Sequence, residues 1–240
     1  MFRIKDNEKN AFTKDRPLLF LHGYLSNSKS FAYQTTFFSR YFSVHAIDLK
    51  GFGDNVGMEY PYSLHDYARE VKEYIDGNFN VAPCVIAHSF GGRIATLLAY
   101  KYPNLFDKIV LTGSAGLKPK RSVKFYAKRA VFSLLKTFVR TEKLKKFYSS
   151  DYNCLDGTMK RSFVKIVNEH LDYTLPYITR PTLIINGLDD RETPKYTAKR
   201  LNKGIKNSKL IFIKNAGHFC FIDAPNKFNM EVREFLLSEN

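Results

Sequence analysis

Short apolar, β-branched runs alternate along this chain with longer stretches whose apolar residues recur at helical spacing. Six runs read as strands: Pro17–His22, Ser43–Leu49, Pro83–His88, Lys108–Thr112, Pro181–Asn186 and Ser208–Ile213. Each is nearly continuous in Leu, Ile, Val or Phe, the pattern of strands buried on both faces. Between them Leu64–Asp76, Phe90–Lys101, Tyr196–Asn202 and Pro225–Leu237 read as helices. In the second of these, Ile94, Leu97 and Leu98 make one apolar stripe. Alternation of this kind predicts an α/β fold, a mostly parallel central sheet flanked by helices.

One segment breaks the alternation. From Leu117 to Ile178 no strand pattern occurs, only helical pattern rich in Lys, Arg, Phe and Tyr. It is too long for an ordinary connection. Residues 117–178 are therefore read as a helical insertion over the C-terminal edge of the sheet, where open α/β sheets bind ligands. Residues 1–116 and 179–240 then form the core domain.

Composition adjusts this picture at its margins. A chain of 240 residues suffices for one domain with a full core, and 44% apolar residues is ordinary. No run approaches the roughly 18–20 apolar residues that span a bilayer. The charged opening Met1-Phe2-Arg3-Ile4-Lys5-Asp6 leads into no apolar stretch, so no signal peptide is expected and cytoplasmic residence is the default. Cys84, Cys154 and Cys220 are spaced for neither a disulfide framework nor a zinc site. Cys84, inside an apolar run, reads as a small core residue. No histidine cluster has ligand spacing, so neither a metal nor another cofactor is expected.

The net charge of +15 at pH 7 is the one unusual bulk property. It fits either an acidic partner or a merely Lys-rich composition, and no nucleic-acid-binding motif accompanies it. Basic residues dominate from Lys118 to Lys146, while Val123, Ala127, Val131, Leu134 and Phe138 mark one helical face. As structure, this is a lid with its apolar face on a pocket and its lysines in water. As function, it is a patch for an acidic acyl carrier protein or an anionic lipid surface.

Four motifs carry candidate chemistry. In Val85-Ile86-Ala87-His88-Ser89-Phe90-Gly91-Gly92 an apolar strand runs into a serine and glycines follow where a helix begins. A nucleophile held on so sharp a turn needs small neighbours two residues to either side, the content of the G-x-S-x-G elbow. Ala87 stands at the first of these positions, and an alanine methyl is tolerated there. The run Leu18-Leu19-Phe20-Leu21-His22-Gly23-Tyr24 ends a strand in a polar turn. With the elbow, it supplies the second half of an oxyanion hole made by the Tyr24 and Phe90 backbone N–H groups. Donors of this kind are worth roughly 3–4 kcal/mol each in a transition state. Asp189 and Asp190 follow the strand ending at Asn186, and His218 follows the strand ending at Ile213.

The order Ser, Asp, His, each on a post-strand loop, resembles that of the alpha/beta-hydrolase superfamily. The resemblance extends to the loop Asp48-Leu49-Lys50-Gly51-Phe52-Gly53, to Gly187-x-x-Asp190-x-x-x-Pro194 and to Gly217-His218-Phe219 leading to Asp223-Ala224-Pro225. It covers nearly the whole chain. The family spacing implies Asp190 rather than Asp189 as the acid, an orienting or packing role for His88, and a cap formed by the insertion. It also implies a leading hairpin, for which only the residues before Pro17 are available, so the first strand is expected to be missing or reduced. The activity implied is hydrolysis of a small-molecule carboxylic ester by Ser89, His218 and Asp190. Alternatives are a thioester or acyl-carrier-protein ester hydrolase, a carbon–carbon bond hydrolase, and a ligand-binding protein that keeps the fold without the chemistry.

Overall fold

The computed structural model of the chain describes residues 15–119, 155 and 157–239. At its centre lie β1 (Pro17–Leu21), β2 (Ser43–Ile47), β3 (Cys84–His88), β4 (Ile109–Thr112), β5 (Thr182–Gly187) and β6 (Ser208–Ile213). They form one sheet in the order β2-β1-β3-β4-β5-β6, with every pairing parallel. Each strand lies within two residues of its predicted ends. The four inner strands are buried along their whole length, whereas β2 and β6 at the edges are half-exposed.

Alternate side chains serve the two faces of the sheet. Leu19 and Leu21 of β1 pack in one layer with α2 (Leu64–Asn78) and α3 (Phe90–Lys101), through Tyr67, Ile75, Leu97 and Leu98. Leu18 and Phe20 pack in the other with α1 (Ala32–Phe38) and α7 (Pro225–Leu237), through Phe38, Phe228 and Val232. Each such side chain contributes roughly 1.5–3 kcal/mol by leaving water.

The predicted helices correspond to α2, α3, α5 (Lys195–Gly204) and α7. A reciprocal cap starts α2: Ser63 N donates to Asp66 Oδ2 at 2.8 Å and Asp66 N donates to Ser63 Oγ at 3.3 Å. Helix α1 carries no periodic signal, since only Gln34 and Phe38 of its residues are buried. It continues a 3-10 turn, Ser28–Phe31, that begins where Lys29 N donates to the Asn27 side chain at 3.0 Å. The short α6 (Cys220–Asp223) was likewise without a periodic signal.

After β2 the chain returns to the far side of β1 to form β3. That reversal opens a crevice between the C-terminal ends of β1 and β3, the usual ligand position in open parallel sheets. Over it lies α4 (Gly157–Asn168), inside the predicted insertion. Tyr24 Oη donates to Met159 O at 3.3 Å, and Lys165 Nζ donates to Pro61 O at 2.8 Å. Arg93 Nη1 donates to Ile166 O at 2.9 Å and to Glu169 O at 2.8 Å. The apolar series Val123 to Phe138, the basic run from Lys120 to Lys146, Cys154 and the segment expected to hold a reduced first strand lie outside the described residues. No described helix is long and apolar enough to cross a membrane.

Candidate active site

The C-terminal ends of β1, β3, β5 and β6 bring all five predicted site residues to one edge of the sheet. Ser89 is the residue between β3 and α3, with φ 49° and ψ −103°. A non-glycine residue there is strained, and its surroundings hold it in place. Ser89 N donates to Thr112 O at 3.0 Å, and Ser89 O accepts from Ala115 N at 3.2 Å. The turn is this tight because α3 starts directly against β1. A Cβ on Gly91 would lie 2.3 Å from Leu21 O, so no larger residue fits. Ala87, at the other small position, is fully buried in the helix-facing core.

Asp190 and His218 form a buried pair: His218 Nδ1 lies 3.0 Å from Asp190 Oδ2, with the Asp190 side chain wholly out of solvent. Gly187 permits their approach, because a Cβ on it would lie 2.1 Å from Gly217 O in the loop carrying His218. The Asp190 carboxylate also accepts from Glu192 N (2.9 Å), Thr193 N (2.8 Å), Thr193 Oγ1 (2.7 Å) and Asn186 Nδ2 (3.3 Å). Burial opposes its ionisation, but the hydrogen bonds from His218 and Thr193 outweigh that and hold its pKa below the ordinary value. An ionised Asp190 accepts a hydrogen bond from Nδ1–H of His218, which leaves the Nε2 lone pair available as a base. Thr193 and Asn186 were not singled out from the sequence; their signal was their place beside the acid. Asp189 makes no such set of contacts.

Ser89, His218, Tyr24 and Phe90 line one cleft of about 410 Å3. Ser89 Oγ makes no direct hydrogen bond to His218 in this arrangement, a contact that commonly tightens only with substrate in place. The rings of Tyr24 and Phe90 meet at 5.4 Å, and Phe163 of α4 closes on Tyr24 at 5.2 Å.

Two further histidines, both neutral, brace these loops. Burial, followed by the neighbouring His218, pushes the His88 pKa down to about 3. Its Nε2–H donates to His218 O at 3.1 Å, tying the elbow to the loop that carries His218. Burial also lowers the pKa of His22. His22 Nδ1–H donates to Gly23 O at 2.7 Å while Nε2 accepts from Leu49 N at 3.0 Å, so both ring nitrogens are committed. The Gly23–Tyr24 peptide is trans, so with its carbonyl toward His22 its N–H points the opposite way. Cys84 and Cys220 are free and buried, and burial raises both thiols to about 11, far from a reactive thiolate. Among the described residues no His, Cys, Asp and Glu group is arranged to hold a metal ion.

An all-parallel sheet with a strained serine at its switch point and a buried acid–histidine pair across the cleft defines a hydrolase architecture. The alpha/beta hydrolase family model matches residues 18–231, and the chain belongs to that family. It is 28% identical over 253 residues to the AB hydrolase superfamily protein YisY of Bacillus subtilis, covering 92% of this chain and 91% of that one. The chain is 25% identical over 250 residues to the pimeloyl-acyl-carrier-protein methyl ester esterase of Wigglesworthia glossinidia brevipalpis, covering 93% of this chain and 94% of that one. The solved structure of the esterase EaEST from Exiguobacterium antarcticum shares the fold, with a TM-score of 0.75, 23% identity and coverage of 93% of this chain and 92% of that one.

Proposed function

We propose that this hydrolase is a serine esterase that cleaves a carboxylic ester through an acyl-enzyme. The observation that carries the reading is the buried Asp190–His218 pair on the cleft that Ser89 enters from its strained turn. Ser89 Oγ attacks the ester carbonyl as His218 Nε2 takes its proton, and Asp190 stabilises the resulting imidazolium. The Tyr24 and Phe90 N–H groups stabilise the tetrahedral oxyanion. Collapse expels the alcohol, which receives the proton from His218. Water, deprotonated by His218, then attacks the acyl-enzyme, and the acid leaves as Ser89 regains its proton.

A carrier-bound ester is the second reading. Its support is the similarity to a relative named for an acyl-carrier-protein methyl ester, together with the +15 charge. Hydrolysis of p-nitrophenyl esters from acetate to laurate, by wild type and Ser89→Ala, tests the first reading. Turnover that vanishes in the variant is expected, and the best chain length sizes the cleft. Turnover that survives in Ser89→Ala would sink the serine mechanism. If wild type turns over no free ester, a fluorophosphonate probe decides: labelling of Ser89 leaves the carrier-bound ester or carbon–carbon cleavage, and no labelling leaves a binding protein.

A further inference from the structure

Arg93 stands in the wall of the cleft and, among the described residues, makes no direct ion pair. It lies in the first turn of α3, four residues after Ser89. It borders the cleft of Ser89, Phe90 and His218, and also an adjoining one of about 340 Å3 beneath Pro119, Val167 and Tyr196. Its Nη1 is held by two carbonyls at the C-terminal end of α4, those of Ile166 and Glu169. Among the described residues no carboxylate comes within 4.0 Å of it. The Glu169 carboxylate turns instead to His65 Nε2, at 2.9 Å. Glu192 also borders both clefts, but as an exposed residue whose charge is solvated. Burial lowers the Arg93 pKa to about 10 against the opposing charge of the nearby Glu169, which still leaves the guanidinium charged near neutrality.

A partly buried cation is costly to leave incompletely met, and two carbonyls at a helix C-terminus supply only partial negative charge. We propose that the cleft selects a substrate carrying a carboxylate besides the bond to be cleaved, and that the Arg93 guanidinium receives that carboxylate. The planar fork of arginine fits a carboxylate, and the two carbonyls on Nη1 fix its orientation before substrate arrives. The net charge of +15 favours an anionic substrate at longer range. Ser89 and Arg93 border one cleft of about 410 Å3, which suits half-esters of short dicarboxylic acids. This inference rests on the esterase reading only for where the scissile carbonyl sits; recognition of the carboxylate requires no turnover.

Binding to the Ser89→Ala protein therefore tests it, by calorimetry with monomethyl glutarate and with methyl glutaramate, the same shape carrying a neutral amide. The half-ester is expected to bind about tenfold more tightly or better, with a preference that weakens as salt is added. In the Ser89→Ala, Arg93→Met protein that preference should vanish while the amide binds as before, which reports an intact cleft. Arg93→Lys, in the same background, should keep part of it. Equal affinity for the two ligands in Ser89→Ala, no measurable binding of the half-ester, or a preference that survives Arg93→Met would each overturn the proposal. Failure of the serine mechanism is read separately, by fluorophosphonate labelling of the wild-type protein.

Discussion

His22 makes two hydrogen bonds that ought to have separable consequences. One, from Nδ1–H to Gly23 O, fixes the plane of the peptide whose N–H belongs to Tyr24. The other, from Leu49 N to Nε2, ties the loop after β1 to the loop after β2. His22→Asn keeps a donor at the Nδ1 position and loses the acceptor; His22→Gln keeps an acceptor near the Nε2 position and loses the donor. Each variant strands one buried backbone group, at about 1–3 kcal/mol of stability. Their rates should diverge. With the donor kept, kcat for a hydrolysed ester is expected within a few-fold of wild type. With the donor lost, the Gly23–Tyr24 peptide is free to rotate, and kcat should fall by about 10- to 100-fold, short of the 10²–10³ that removes an oxyanion donor outright. Steady-state kinetics beside urea unfolding decides. Equal losses of kcat in the two variants, or a larger loss in His22→Asn, would refute the claim that His22 acts by orienting the Tyr24 amide.

Ser89→Gly should abolish turnover yet raise stability by about 1–3 kcal/mol, because glycine accepts φ 49° without strain; a lower melting temperature than wild type would contradict that. His88 is buried and neutral, so its contribution to stability is complete above the unfolded pKa of 6.5 and is lost as pH falls toward about 3. That difference is on the order of 5 kcal/mol, and a stability flat from pH 7 to pH 4 would exclude it. Asn229, in α7, buries both side-chain polar atoms with no hydrogen-bond partner among the described residues. Asn229→Leu, close to it in volume, should stabilise by about 1–3 kcal/mol, seen as a higher urea midpoint at unchanged slope; a lower midpoint would show that the amide is satisfied in solution.

The inner strands were legible because a parallel sheet covered on both faces demands nearly unbroken apolar runs, as in Cys84–His88. Ser89, Asp190 and His218 were legible because each sits one to five residues past such a run, and parallel strands deliver those positions to a single edge. Helix α1 was not, since a side-chain cap on a 3-10 turn leaves no periodicity to read. Nor was the role of Thr193, a residue ordinary in composition that matters only because a turn folds its amide and hydroxyl onto Asp190. Arg93 looked like one cation among many; its meaning came from what encloses it.

Strands β4 and β5 are neighbours in the sheet, yet 69 residues separate Thr112 from Thr182. The chain leaves the sheet and re-enters it at adjacent positions, and because the two strands are parallel a crossover of about a dozen or more residues is all that their pairing requires. Loop-closure entropy would change by only about 1 kcal/mol for a crossover of about twenty residues. Two parts of one protein can therefore drift at different speeds in evolution. The elbow and the acid–histidine pair are locked to the geometry of the sheet, while the excursion over them is an exchangeable module. Recombination or insertion there can reshape the cover of the cleft while Ser89, Asp190 and His218 keep their places at the sheet edge.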